Sequence, residues 1–145
     1  MSEPITITVI GTPGPQGSKS FKGMRGGHAV LAESSKKVKP WREAVKWAVA
    51  PYRIPGGTVI GPLFCEMVFS LKRPKSAPKR ITHPATTPDL SKLVRSTEDA
   101  LTESGIWEDD ARVVGFANTR KVFAGGSDPD ALDVPGCVIR IWRAE

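Results

Sequence analysis

Between Leu63 and Leu71 an apolar residue falls at every second position: Leu63, Cys65, Met67, Phe69 and Leu71. A period of two is that of a β-strand, whose successive side chains leave opposite faces. The segment 61–74 therefore reads as a strand covered on one side. The next regular stretch has another period. From about Pro88 to Ser104, Leu90, Leu93, Val94, Ala100 and Leu101 recur at helical spacing. Gly105 is a natural residue to end that helix, because it accepts the left-handed conformation of a C-cap. A further apolar run, VVGFANTRKVFA (113–124), follows as a strand. This strand–helix–strand succession is the strongest constraint on what the chain can fold into.

The remaining segments fit around it. PITITVI (4–10) alternates β-branched and polar residues and reads as a strand, whereas GTPGPQGSKSFKGMRGGH (11–28) is rich in Gly and Pro and reads as a mobile loop. AVLAE (29–33) is a short strand candidate. A first helix is expected from Ser35, capped by Ser34 or Ser35, with Val38, Trp41, Val45, Ala48 and Val49 on its apolar face and an end at Ala50–Pro51. Pro40 falls near the first turn, where proline is tolerated. CVIRIW (137–142) closes the chain as a strand. At 145 residues the chain suits one domain, here taken as 1–145, with a core of its own. The order β, β, α, β, α, β, β predicts an α+β fold, a mixed β-sheet with two main helices packed on one face.

Lys and Arg number 21 against 15 Asp and Glu, a formal net charge of +6. Such a balance favours polyanionic partners, nucleic acid before anionic membrane; the alternative is an ordinary basic surface. Lys72, Arg73, Lys75, Lys79 and Arg80 lie in a segment (72–88) with four prolines, read as extended, basic and mobile. They are candidates for phosphate contacts, or simply a solvated linker. VIGTPGPQGSKS superficially resembles a phosphate-binding P-loop. It lacks the Gly-Lys-Ser/Thr succession, and Pro13 and Pro15 have no N–H to offer a phosphate, so nucleotide hydrolysis is not expected. Lys19 and Lys22 in that segment remain candidates for a nucleic-acid backbone. Cys65 and Cys137 are far apart and belong to no metal-binding spacing, which suggests buried free thiols. The N-terminus lacks the basic start and apolar run of a signal peptide, and no run approaches the roughly 18 apolar residues of a membrane span. The expectation is a cytoplasmic protein without a membrane partner.

WEDDARVV (107–114) then poses a question, because Glu108, Asp109 and Asp110 stand in a row before an apolar strand. If that strand pairs beside the one leading into the basic segment, the chain folds back and Asp89, at the start of the second helix, approaches Asp110. Clustered carboxylates repel one another, but they become a binding site for Mg²⁺, which takes one or two carboxylates together with water and phosphate oxygens. Such an ion activates water for phosphodiester hydrolysis. Each acid also has a plainer reading. Asp89 in a helix's first turn favours the helix dipole, and Asp109-Asp110 can be a polar turn.

The run PDLSKLVRSTEDALTESGIWEDDARVV, 27 residues from Pro88 to Val114, resembles the signature of RusA-type Holliday junction resolvases without a gap. That signature has an Asp-x-Asp start, Lys/Asn-Leu, a basic residue four positions after the second Asp, Asp-Ala-Leu, Gly-x-Trp/Tyr and Asp-Asp-x-x-Val. PQGSKSFKG and SSKKVKPWREAV are similar to the phage-borne branch of the family. The resemblance implies a homodimeric, Mg²⁺-dependent endonuclease that nicks four-way or otherwise branched DNA symmetrically, with Mn²⁺ as the alternative ion, in a bacterial or phage-infected cytoplasm. It implies metal-binding roles for Asp89 and Asp110, with Asp109 as the adjacent acid. Arg95 stands where the family has a functional lysine, and Lys92 at a polar position beside the site.

Ser91 stands where the family typically has its second aspartate, and brings no charge. Glu98, seven residues on, lies within about 20° of Ser91 on the helix and about 10 Å along it. It is a candidate to supply the missing charge; otherwise it is an exposed residue pairing with Arg95 or Lys92. Trp107 is either a core anchor or an exposed ring for an unpaired base. The rival reading of the whole is a DNA-binding protein of the same fold with weakened or lost cleavage.

Overall fold

The computed structural model describes residues 4–17, 19–25, 28–33, 36–53 and 58–144, with the strands inside 19–33 described by backbone alone. Its elements are β1 (Ile5–Ile10), β2 (Lys19–Arg25), β3 (His28–Glu33), α1 (Val38–Val49), β4 (Leu63–Leu71), α2 (Leu90–Ser104), β5 (Val113–Phe116), β6 (Arg120–Phe123) and β7 (Gly136–Arg143). Single 3-10 turns cover Ala50–Arg53 and Asp110–Arg112.

The sheet runs β1-β7-β4-β5, with β6 also pairing β4, and β2 and β3 form a separate hairpin. β7 is antiparallel to β1 and β4. β5 and β6 both run parallel to β4, β5 beside its first residues (Leu63↔Val113) and β6 beside its last (Phe69↔Lys121). They are one edge strand interrupted at residues 117–119, where Asn118 takes a positive φ of 48°. The α+β fold with a mixed sheet and two helices on one face is thus present, and the strand–helix–strand succession is a parallel crossover through α2.

One face of the sheet holds the core. Ile7 and Val9 of β1, Leu63, Cys65, Met67 and Phe69 of β4, and Cys137, Ile139 and Ile141 of β7 are all buried there. Above them lie Trp41, Val45 and Val49 of α1 and Leu93, Ala100 and Leu101 of α2. Trp41 joins both helices to the sheet: its ring sits 6.5 Å from that of Phe69, and its indole N–H donates to Thr97 Oγ1 at 2.9 Å. Arg42 and Lys46 of α1 both pair with Glu103 of α2.

Several expectations are corrected. The Gly- and Pro-rich segment is not all loop, because Lys19–Arg25 pairs with His28–Glu33; Gly and Pro content hid a hairpin whose partner strand supplies the hydrogen bonds. α1 begins at Val38 with Lys37 as N-cap and no side-chain cap bond, while the expected cap residues Ser34 and Ser35 lie outside the described residues. β4 is covered on both faces in its second half, because the connection from β6 to β7 packs Ala131 and Leu132 over Val68, Val122 and Val138. The two thiols are buried and free, as expected. Among the described residues no helix is long and apolar enough to cross a membrane.

Candidate active site

α2 organises the candidate residues. It starts after Asp89, whose carbonyl accepts from the Lys92 and Leu93 N–H groups, and ends at Gly105 with φ 80°. Asp89 occupies the N-cap in an extended conformation, yet its carboxylate makes no capping bond. The carboxylate is therefore not spent on helix initiation. The chain before it is held from across the sheet: Lys121 Nζ on β6 donates to the carbonyls of Thr86 (2.8 Å) and Pro88 (2.9 Å). Ser91 and Lys92 are exposed in the same first turn. Residues 11–17 lie along this end of α2, with Ser96 Oγ donating to the Gly14 carbonyl at 2.6 Å and the Gln16 N–H to the Lys92 carbonyl at 2.9 Å. Gly14 is required there, since a Cβ would collide with the Lys37 carbonyl at the head of α1.

The acidic triplet after α2 divides by role. Glu108 pairs with Arg112 at 3.6 Å. Asp109 caps the 3-10 turn, its carboxylate accepting from the Ala111 N–H at 3.1 Å, and that bond holds its carboxyl below the usual range. Asp110 has no such partner. Its hydrogen-bonded neighbour Asp109 pushes its carboxyl up, with burial and the charges of Asp109 and Asp99 adding to the effect. Trp107, just before, is 1 % exposed and donates to Thr102 Oγ1 at 2.8 Å, so it is a core anchor and not a base-stacking ring.

Asp110 faces the middle of α2. Burial raises the Glu98 carboxyl, and the charges of Asp110 and Asp99 raise it further against the opposing influence of Arg95. Arg95 lies 3.7 Å from Asp99, one turn along the helix, with its side chain 67 % exposed. Glu98 thus lies in the field of Asp110 and Asp99, with Arg95 opposing them. Arg95 itself pairs with Asp99. Asp89, Ser91 and Lys92 sit at the helix head, Asp89 nine residues or about 13.5 Å along the axis from Glu98. Among the described residues no three His, Cys, Asp or Glu side chains converge closely enough to grip one ion.

Asp99 is not among the residues expected from the sequence, although its i,i+4 spacing from Arg95 is a signal for the pair. Lys121 carried no signal, because its role depends on contacts across the sheet. Of the basic candidates, Lys72, Lys75, Lys79, Arg80 and Lys92 are exposed. Arg73 is not a free solvated residue: it donates to the Pro78 (2.6 Å) and Ile81 (2.7 Å) carbonyls and lies 4.9 Å over the Phe123 ring, closing the 72–81 loop on itself. The side chains of Lys19 and Lys22 lie outside the described residues.

A basic α+β domain with crowded carboxylates among exposed lysines belongs, as a class, with enzymes that act on nucleic acid. The sequence model of the family described as Endodeoxyribonuclease RusA matches residues 11–129 of the 145. The chain belongs to that family and is an endonuclease. No curated protein matches it significantly.

Proposed function

We propose that the chain is a divalent-metal-dependent endonuclease that cuts four-way or otherwise branched DNA by paired nicks, acting as a homodimer in recombination, repair or phage DNA processing. The observation that carries this reading is Asp110, which stands directly before an edge strand with no basic side chain paired to it among the described residues and with Glu98 of α2 in its field, in a chain of the RusA family. The Glu98 carboxyl, raised by burial, and the Asp110 carboxyl, raised by its bond to Asp109, fit a cation that would stabilise their charged forms. Mg²⁺ in particular needs only one or two carboxylates, with waters filling the rest of its octahedron. Asp110 is the principal holder with Glu98 as its partner, while Asp109 stays committed to its turn and Asp99 to Arg95. Bound there, Mg²⁺ or Mn²⁺ supplies a Lewis acid for the phosphodiester and an acidified water.

The chain's own residues do the rest. Arg95, exposed at the rim, turns from Asp99 to the phosphate and neutralises its developing charge, and as a guanidinium it does not act as the proton donor. Asp89, Ser91 and Lys92 form the helix head that faces the incoming backbone, with Lys121 holding Asp89 in place through the preceding carbonyls. Lys72, Lys75, Lys79 and Arg80 contribute phosphate contacts, as do Lys19 and Lys22.

A synthetic four-way junction incubated with Mg²⁺ tests the reading. Wild type is expected to cut, and Asp110→Asn to lose at least about a hundredfold in rate while still binding the junction. Cleavage by Asp110→Asn at the wild-type rate would falsify the assignment. Junction binding without cutting by wild type would instead favour a binding protein of the same fold, a reading the uncharged Ser91 supports.

A further inference from the structure

A cleft of about 400 Å³ opens beside the helix head, between the loop after β1, the head of α1 and the exit of β4. Its walls include Thr12, Lys37, Lys72, Thr86, Thr87 and Phe123, and among the described residues no carboxylate lines it. Lys37 and Lys72 project from different elements, both are exposed, and among the described residues neither pairs with an acid. Other clefts differ. The one along Arg42 and Lys46 is neutralised by Glu43 and Glu103, and the one beside Arg73 and Lys79 contains Asp128. A further cleft shares Thr12 and Lys37 with the first and adds Lys36, so the positive lining extends around the head of α1 as a short track. Pro88 forms part of the first cleft's wall, so the track leads to Asp89.

We propose that this track binds one unpaired DNA strand at a branch point, with Lys37 and Lys72 on successive phosphates and the threonine hydroxyls donating to backbone oxygens. The proposal rests on the nuclease reading and names how the site distinguishes branched from linear DNA. A cleft of this size takes in a stretch of about one or two nucleotides of single strand, whereas a duplex lies across a surface. Lysines without acidic partners release no internal ion pair on binding, so their contribution appears as counterion release and falls with salt.

The test is fluorescence anisotropy of the full chain with a short labelled oligo-dT and with a linear duplex, in EDTA, over a range of salt. Lys37→Ala with Lys72→Ala should lower oligo-dT affinity about tenfold and reduce the slope of log affinity against log salt by about 1.4, a larger loss than duplex binding suffers. Lys37→Arg with Lys72→Arg should retain the slope. Thr86→Trp, which fills the cleft without changing charge, should weaken oligo-dT alone. An unchanged salt slope in the double alanine variant, or full oligo-dT binding by Thr86→Trp, overturns the proposal. Wild type that cuts junctions but binds no oligo-dT also overturns it and leaves the nuclease reading standing. Wild type that neither cuts nor binds any DNA removes both.

Discussion

Ser91 and Asp110 carry opposite lessons at the scale of the residue. Ser91 is exposed in the first turn of α2, seven residues and about 10 Å from Glu98. Ser91→Asp is expected to raise Tm slightly, because a carboxylate near a helix N-terminus is worth about 0.5 kcal/mol. It should leave cleavage at limiting Mg²⁺ unchanged if the ion is held around Asp110; a clear rise in activity at low Mg²⁺ would move the ion to the helix head. Asp110→Asn removes a charge that its neighbours oppose. In EDTA this variant should melt above wild type, and Mg²⁺ should raise the wild-type Tm but not the variant's, as thermal unfolding with and without metal will show. Function placed at a destabilised position predicts that sign. The triplet Glu108-Asp109-Asp110 was visible as an oddity in the sequence, but its division into an ion pair, a turn cap and an acid without a basic partner was not. Identical side chains one residue apart are separated only by the turn that binds one of them.

Among the elements, the connection from β6 to β7 behaves least as its sequence suggests. GGSDPDALDVPG reads as a polar loop, yet it is clamped to the outer face of the sheet by a charge network. Arg120 bonds Asp128 through two nitrogens at 2.9 Å and reaches Asp130 at 3.1 Å, while Arg140 joins Asp130 (2.6 Å) to Glu66 (2.9 Å). Removing one member leaves half-buried charges unpaired, so Arg120→Leu should cost about 2–3 kcal/mol in urea unfolding. The bond from Arg120 holds the Asp128 carboxyl below its ordinary 3.8, and the bond from Arg140 does the same for Asp130. Depressed carboxyls contribute stability that is present above the unfolded value, near 3.8, and lost as pH falls through the folded one. Asp128→Asn with Asp130→Asn should therefore lower stability at pH 7 and flatten the loss wild type undergoes below about pH 4. A double variant as acid-sensitive as wild type would show that other carboxylates govern the acid limb. The strands and helices themselves were legible, because β4 and α2 have clean periods. The β2–β3 hairpin was not, since the Gly content of its first strand and turn argues for a loop.

For the whole molecule, the proposed activity sets a symmetry requirement. Two nicks placed symmetrically on a four-way junction need two catalytic centres related by a two-fold axis, which a homodimer provides. Sedimentation should give the mass of a dimer. Preparations mixing wild type with excess Asp110→Asn should yield junctions nicked on one strand, whereas wild type alone yields paired nicks. Paired nicks from the mixture in wild-type proportion would mean that the two cuts do not come from two subunits of one dimer.

Periodicity, charge balance and the ordered run from Pro88 to Val114 were enough to determine an α+β endonuclease domain, because burial patterns and family signatures are written along the chain. Which acid stands free, which lysine steadies Asp89 and which basic residues line an acid-free cleft were decided only by the tertiary structure. Those properties depend on distances between residues far apart in sequence, and a carboxylate's charge state follows the neighbours that folding brings to it.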